Sequence, residues 1–248
     1  MTDATCPPAV SRPVDHEASV VAARWTTPRT RNLVFAAEGL AGAFATPAGA
    51  HAPYLKLVLG REEAPLLRTY SIRHLDAERD ELHVEFVFHE TDGPGSAFGR
   101  TARAGSTARL RGPGHLGIAR CARCCLVADH CGVPALAHLL EHLPAESVGV
   151  ALIEVPKASE IRTLAAPPGI ELEWLVRAEG EPCRIANRVA CFEPGLCDET
   201  LLWAGAEATI ARAVRRIGRA NWGLSPSQCQ VLNYWRAGRP EGSFSFIA

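Results

Sequence analysis

The hydrophobic pattern of this chain changes its period near Cys121, and that change limits the architectures it can adopt. Across 19–113 the apolar residues come in short runs broken by Gly and Pro: "SVVAARW", "NLVFAA", "YLKLVLG", "LRTYSIR" and "ELHVEFVFHE". In the last of these Leu82, Val84, Phe86 and Phe88 alternate, the spacing that buries one face of a β-strand. Turn residues separate the runs in "GLAGAF", "TPAGAHAP" and "TDGPGS", and several short strands so spaced predict an antiparallel sandwich or barrel. "RAGSTARLRGPGHLG" adds one more strand and then a Gly/Pro-rich joint, the expected boundary. Beyond it, buried-type strands ("RCCLVAD", "VGVALIEV", "TLLWAGA") alternate with helical stretches such as "VPALAHLLEHL" and "EATIARAVRRIG". That alternation predicts a parallel sheet with helices on its faces. The expected division is a loose leader over 1–17, a β domain over 18–117 and an α/β domain over 118–248. The interface of the last two is the natural place for chemistry.

Composition excludes several classes. With a net charge of -1 the chain lacks the basicity of a nucleic-acid binder. No apolar run approaches a membrane span and the start has no signal-peptide core, so a cytoplasmic protein is expected, without membrane partners and as a monomer. Nine cysteines, an odd number, argue against a disulfide framework. Cys121-x-x-Cys124-Cys125 has no second C-x-x-C to complete a metal site, and Cys124 and Cys125 open the apolar run "CCLVA", so they read as small core residues.

Four stretches carry possible chemistry. Arg68-Thr69-Tyr70-Ser71-Ile72-Arg73 puts two guanidinium groups, a ring and a hydroxyl on one strand. Alternation sets Arg68, Tyr70 and Ile72 on one face and Thr69, Ser71 and Arg73 on the other. Cation, ring and hydroxyl suit a ligand with phosphate and a planar conjugated system, such as a flavin dinucleotide; taken alone, the six residues read better as a half-buried strand whose arginines reach solvent. His89-x-x-Asp92-Gly93-Pro94-Gly95-Ser96 follows the clearest strand, and its backbone N–H groups suit a pyrophosphate where they open a helix; its plain reading is a β-turn. Tyr234-Trp235-Arg236-x-Gly238 reads equally as a cap on a flavin or adenine and as a closing strand. At strand-to-helix corners stand Glu207, which a helix dipole explains, and His130-Cys131, sequence neighbours unsuited to act as a nucleophile–base pair.

Taken in order, RTYSIR, "VEFVFHETDGPGSAF", "LVADHCGVPALAHLLEHLP", "LLWAGAEATIARAVRRIG" and "NYWRAGR" resemble the siderophore-interacting protein family across 19–239. These are FAD-containing ferric-siderophore reductases of the ferredoxin reductase-like superfamily. The resemblance implies a six-stranded antiparallel FAD-binding β-barrel followed by a nicotinamide-type α/β domain. It implies flavin contacts from Arg68, Tyr70 and Ser71, with Arg73 as a further motif arginine. His89, Gly93, Pro94, Gly95 and Ser96 match the pyrophosphate loop, and Trp235 the C-terminal aromatic near the cofactor. Lys56, Arg236 and Arg239 are the implied siderophore contacts.

The chain also departs from the family pattern. Gly95 stands for the usual Ala after Gly-Pro, Phe98 for the usual Trp, and Tyr54-Leu55 precede Lys56 where members often have His-Val. The loop commonly written Gly-Asp-Glu-Thr-Ala-Leu-Pro reads Ala128-Asp129-His130-Cys131-Gly132-Val133-Pro134. It faces the electron-donor side in the family, so Asp129, Pro134 and, at the later corner, Glu207 are the donor-side candidates. The expected function is reduction of siderophore-bound Fe(III), by FAD supplied from NAD(P)H or ferredoxin, with the ferric-siderophore as substrate. The alternatives are a non-catalytic member that binds FAD or an iron chelate, and a flavin reductase-like enzyme with another acceptor.

Overall fold

The alternating runs of the first half close into a barrel. The protein is seen in a computed structural model that describes residues 14–46, 50–89, 93–117, 122–195 and 200–239. Six strands form the barrel: β1 (Asp15–Thr27), β2 (Thr30–Ala36), β3 (Ala50–Arg61), β4 (Ala64–Asp76), β5 (Glu81–Val87) and β6 (Thr107–Gly117). They pair antiparallel in the closed order β1-β2-β5-β4-β3-β6. Leu33, Phe35, Leu57, Leu82, Val84 and Leu110 point inward and are wholly buried. Two helices attach here. α1 (Leu40–Ala43) occupies the stretch expected as a turn, and α2 (Pro94–Thr101) packs on the barrel through Phe98, whose ring lies parallel to Phe35 at 6.4 Å.

Two sequence expectations change. β1 starts at Asp15, so Asp15, His16 and Glu17 are strand, paired with Arg111, Leu110 and Arg109, and not leader; the rest of the expected leader, 1–13, lies outside the described residues. The Gly/Pro-rich joint is also strand, since β6 runs to Gly117. Its glycines serve packing across the strand: a Cβ at Gly114 would overlap the Tyr54 ring, and one at Gly112 would come within 3.0 Å of Phe44.

The second half forms a parallel sheet. Its strands are β7 (Arg123–Asp129), β8 (Val148–Val155), β9 (Gly169–Val176), β10 (Thr200–Glu207) and β11 (Cys229–Trp235), in the order β11-β10-β7-β8-β9. Every residue of β10 is buried, which is why it reads as an unbroken apolar run. α3 (Val133–His142) covers one face through Leu136, Leu139 and Leu140. α4 (Ile185–Ala190) and α5 (Ala208–Arg216) cover the other through Val189, Ile210 and Val214. Cys124 and Cys125 split between the two cores, and burial pushes the Cys125 thiol up; Cys121 lies outside the described residues. α3 also touches β3 and β4, so it lies between sheet and barrel.

Candidate functional site

The site grows from β4. Its ladder with β3 pairs Tyr54 with Ser71, Leu55 with Tyr70, Lys56 with Thr69 and Leu57 with Arg68. Leu55 and Leu57 belong to the barrel core, and Ile72 is buried with them, so Arg68 and Tyr70 share the barrel side. The Tyr70 ring rests against Phe86 with centroids 4.2 Å apart. Thr69, Ser71 and Arg73 face the other way, as alternation requires. Lys56 Nζ donates to Thr69 Oγ1, and Ser71 shares a side-chain hydrogen bond with Tyr234 of β11. Burial pushes the Tyr234 hydroxyl up to about 12, against the Ser71 bond. Arg73, matched with the cofactor motif, forms a two-pronged ion pair with Glu141 of α3 at 2.8 and 2.5 Å.

Between barrel and sheet these side chains enclose a cavity of about 300 Å3 whose walls include Tyr54, Lys56, Tyr70, Ser71, Pro134 and Tyr234. The start of α2 meets Tyr70, one of the residues on the cavity wall. Gly93 is extended, Pro94 opens the helix, and Ser96 lies in the first turn. A Cβ at Gly95 would collide with the Tyr70 hydroxyl and stand 3.3 Å from Arg68 Cγ. The glycine that replaces the family's alanine thus lets Arg68 and Tyr70 close on the helix start. The Arg68 guanidinium donates to the Leu67 carbonyl at 2.8 Å, and with the Tyr70 hydroxyl and the N–H groups of the first helical turn it supplies donors of the kind that suit phosphate. With the ring and hydroxyl beside them, the residues present fit a flavin dinucleotide. Asp92 of the same motif lies outside the described residues.

A second cavity, about 520 Å3, opens along the carboxyl ends of β7, β8 and β11 and shares Cys131 with the first. His89, Trp235 and Arg29 line it. The His89 ring lies over Trp235 at 4.7 Å, and its Nε2 is 2.6 Å from Cys131 Sγ. Burial holds His89 below the usual imidazole range, helped by Arg29, while burial and the Asp129 charge hold the Cys131 thiol well above its own. Both groups are therefore neutral near pH 7. His130 turns away from Cys131 toward the buried Glu160, with Nε2 3.2 Å from Oε2. The neighbouring His130 and Cys131 do not pair with each other.

Of the donor-side candidates, Asp129 and Glu207 form one junction, while Pro134 lies on the wall of the first cavity. Asp129 Oδ1 accepts from Gly132 N–H at 3.1 Å, and Oδ2 accepts from Glu207 N–H and Trp235 Nε1–H, each at 2.7 Å. Burial nevertheless pushes the Asp129 carboxyl up to about 6, since these bonds only partly offset desolvation. Glu207 caps α5 by accepting from Thr209 N–H at 2.6 Å, and its other oxygen accepts from Ala237 N–H at 3.3 Å. Arg236 and Arg239 lie exposed in a turn after β11 and line neither cavity, so the structure does not bring them to Lys56. The sequence marks Tyr54 only as a departure from the family pattern, Cys131 only as a poor partner for His130, and Tyr234 only within its motif. For the two tyrosines the signal was an opposing glycine: Gly114 makes room for Tyr54, and Gly205 for Tyr234, whose ring would stand 2.9 Å from an added Cβ.

Two family models match the chain: "Siderophore-interacting FAD-binding domain" over 30–116 and "Siderophore-interacting protein" over 121–238. Among curated proteins it is similar to the ferric vibriobactin reductase ViuB of Vibrio cholerae, 25% identical over 200 residues, covering 75% of this chain and 70% of that one. Among solved structures it is similar to the siderophore-interacting protein SipS of Aeromonas hydrophila, with TM-score 0.82 and 24% identity over 92% of this chain and 93% of that one. A siderophore utilization protein from T. fusca gives TM-score 0.80 at 26% identity, over 92% of this chain and 95% of that one.

Proposed function

The chain belongs to the siderophore-interacting protein family, and from that footing we propose that it is an FAD-dependent oxidoreductase that reduces siderophore-bound Fe(III) and releases Fe(II). The observation that carries this reading is the cavity between barrel and sheet, with Tyr70 and Ser71 on its walls and Arg68 beside Tyr70 at the start of α2. When bound there, FAD supplies the redox chemistry, accepting electrons from NAD(P)H or ferredoxin and delivering them singly to iron. The chain's own residues orient and tune. Arg68 and the α2 start hold the phosphates, the Tyr70 ring lies against the flavin, and Ser71, fixed by Tyr234, presents its hydroxyl to the ring edge. His89 and Trp235 in the second cavity receive the adenosine end, and Lys56 faces the iron chelate. No proton transfer from a side chain is needed, because reduction alone loosens the chelate. No helix among the described residues is long and apolar enough to cross a membrane, and we place the protein in the cytoplasm as a monomer.

Purified protein should carry a yellow chromophore or take up added FAD; a folded, colourless protein that ignores FAD refutes the reading. Anaerobic mixing of the FAD-loaded protein with NADH, NADPH or reduced ferredoxin, then with ferric-siderophore, should bleach and restore the flavin absorbance. One observation favours a second reading of the donor. Asp129 and Glu207 already accept from the N–H groups of Gly132, Glu207 and Thr209, and at such a crevice a dinucleotide's pyrophosphate uses groups of this kind. Bleaching by ferredoxin and by neither nucleotide would follow from that, and bleaching by none of the three would mark a member without turnover.

A further inference from the structure

The two cavities meet at one side-chain contact, and that contact joins barrel to sheet. His89 stands two residues after β5, where the Arg29 carbonyl of the β1–β2 hairpin accepts from Phe88 N–H at 2.9 Å. Cys131 lies in the short turn His130–Gly132 between β7 and α3. That turn is tightly fixed: Gly132 N–H donates to Asp129 Oδ1 at 3.1 Å, and a Cβ on Gly132 would run into the Gly205 carbonyl. Cys131 lines both cavities and His89 the second, with His89 Nε2 2.6 Å from Cys131 Sγ. A neutral imidazole has one donor and one acceptor nitrogen, and the acceptor nitrogen is much stronger in that role than a thiol sulfur. The thiol therefore donates to Nε2, which leaves the ring's own hydrogen on Nδ1. Nδ1 has no hydrogen-bond partner among the described residues, and the half-buried ring is part of the cavity wall. The ring is also held from its face, since it lies over Trp235 at 4.7 Å and Trp235 Nε1–H is bound by Asp129. Arg29 from the hairpin and Asp129 and His130 from the turn are the charged or titratable groups packed around the pair, and Glu154, Arg177 and Glu179 line the same cavity.

Resting on the FAD reading, we propose that Cys131 is a positioning residue: its thiol holds His89 as the Nδ1–H tautomer, and that N–H donates to an acceptor on the AMP half of FAD. The thiol acts as a hydrogen-bond donor and not as a nucleophile, and neither group carries charge. Because one partner belongs to the barrel and the other to the sheet, the donor is set where the two halves of the protein meet.

Nitrogen-15 spectra of the histidine rings report the tautomer directly, with His89→Gln assigning the signal. Nδ1 should carry the hydrogen in wild type, with FAD and without it; hydrogen on Nε2 overturns the inference and leaves the FAD reading standing. Cys131→Val and Cys131→Thr fill nearly the same space and differ in one donor. The Val variant should bind FAD about five- to tenfold more weakly near pH 8, the usual worth of one hydrogen bond, while the Thr variant stays close to wild type. FMN lacks the AMP half, so its affinity should be the same in all three proteins. The pH dependence has a definite sign. A donor on Nε2 favours the neutral ring, so its loss raises the His89 pKa toward the ordinary imidazole value of about 6.5. The Val variant should therefore regain FAD affinity relative to the Thr variant as pH falls below about 6.5, when imidazolium supplies the Nδ1–H. Titration of Asp129 is common to both variants and cancels in that ratio. A ratio that stays constant with pH, or an equal loss of FMN affinity, would reduce Cys131 to packing and overturn the inference. Nδ1–H in a wild-type protein that ignores FAD would instead sink the cofactor reading and leave the Cys131–His89 pair in place.

Discussion

Arg68 and Arg73 belong to the same six-residue motif, yet their surroundings assign them opposite work. Arg68 meets the start of α2 beside Gly95 and Tyr70, while the Arg73 guanidinium is tied to Glu141. Arg68→Ala should therefore weaken FAD binding by about ten- to a hundredfold, the usual worth of a charge-assisted contact to phosphate, with the melting temperature of the apoprotein little changed. Arg73→Ala should do the opposite, lowering stability while FAD affinity changes less than with Arg68→Ala. Flavin fluorescence titration of both variants checks this, and equal losses of affinity would place both arginines on the cofactor. The separation of the two arginines was legible in the sequence because strand alternation sets them on opposite faces. Arg73's partner was not, since Glu141 lies on a helix 68 residues away and nothing local marks the pairing.

The corner where β7 enters α3 shows what the elements ask of a single carboxylate. Asp129 holds the ends of β10 and β11 and the turn before α3, and burial raises its carboxyl to about 6. A carboxyl raised in the fold above its unfolded value of 3.8 contributes stability that is full below that value and is lost as pH rises through about 6. Asp15 and Glu141, each held low by an arginine, act in the other direction, so the Asp129 component must be isolated by comparison. Wild type should lose stability relative to Asp129→Asn as pH rises from about 4 to 6, by about 3 kcal/mol at most. Urea unfolding of the two proteins across that range measures it, and a constant difference would mean that Asp129 titrates normally. The strands and long helices around this corner were readable from period and buried runs. The Gly/Pro stretch of β6 was misread because glycines that admit Tyr54 and Phe44 look, in sequence, like glycines that end a strand.

The change of period in the sequence separates barrel from sheet, but it says nothing of how the two are joined. In the structure the joint is made of buried charge. Arg162, beyond β8, forms a two-pronged pair with Glu85 of β5 at 2.6 and 2.5 Å, and Glu160 accepts from Thr27 Oγ1 and, at 3.3 Å, from the Arg29 N–H of the β1–β2 hairpin. These partners are 77 to 133 residues apart, and each carboxylate is a surface-type residue by composition, so no local signal marks them for burial. Glu85 also lines the cavity between barrel and sheet, so the joint borders the site proposed for FAD. Arg162→Ala would leave the Glu85 carboxylate, 5% exposed, without its guanidinium. An uncompensated buried charge costs about 3–5 kcal/mol. The variant should therefore unfold at markedly lower urea concentration and hold FAD less tightly, although Arg162 itself lines neither cavity. Adding Glu85→Gln removes the stranded charge, so the double variant should regain most of the lost stability. A double variant no better than Arg162→Ala alone would show that the guanidinium acts by packing, and that the union of the two domains does not depend on the Glu85 charge.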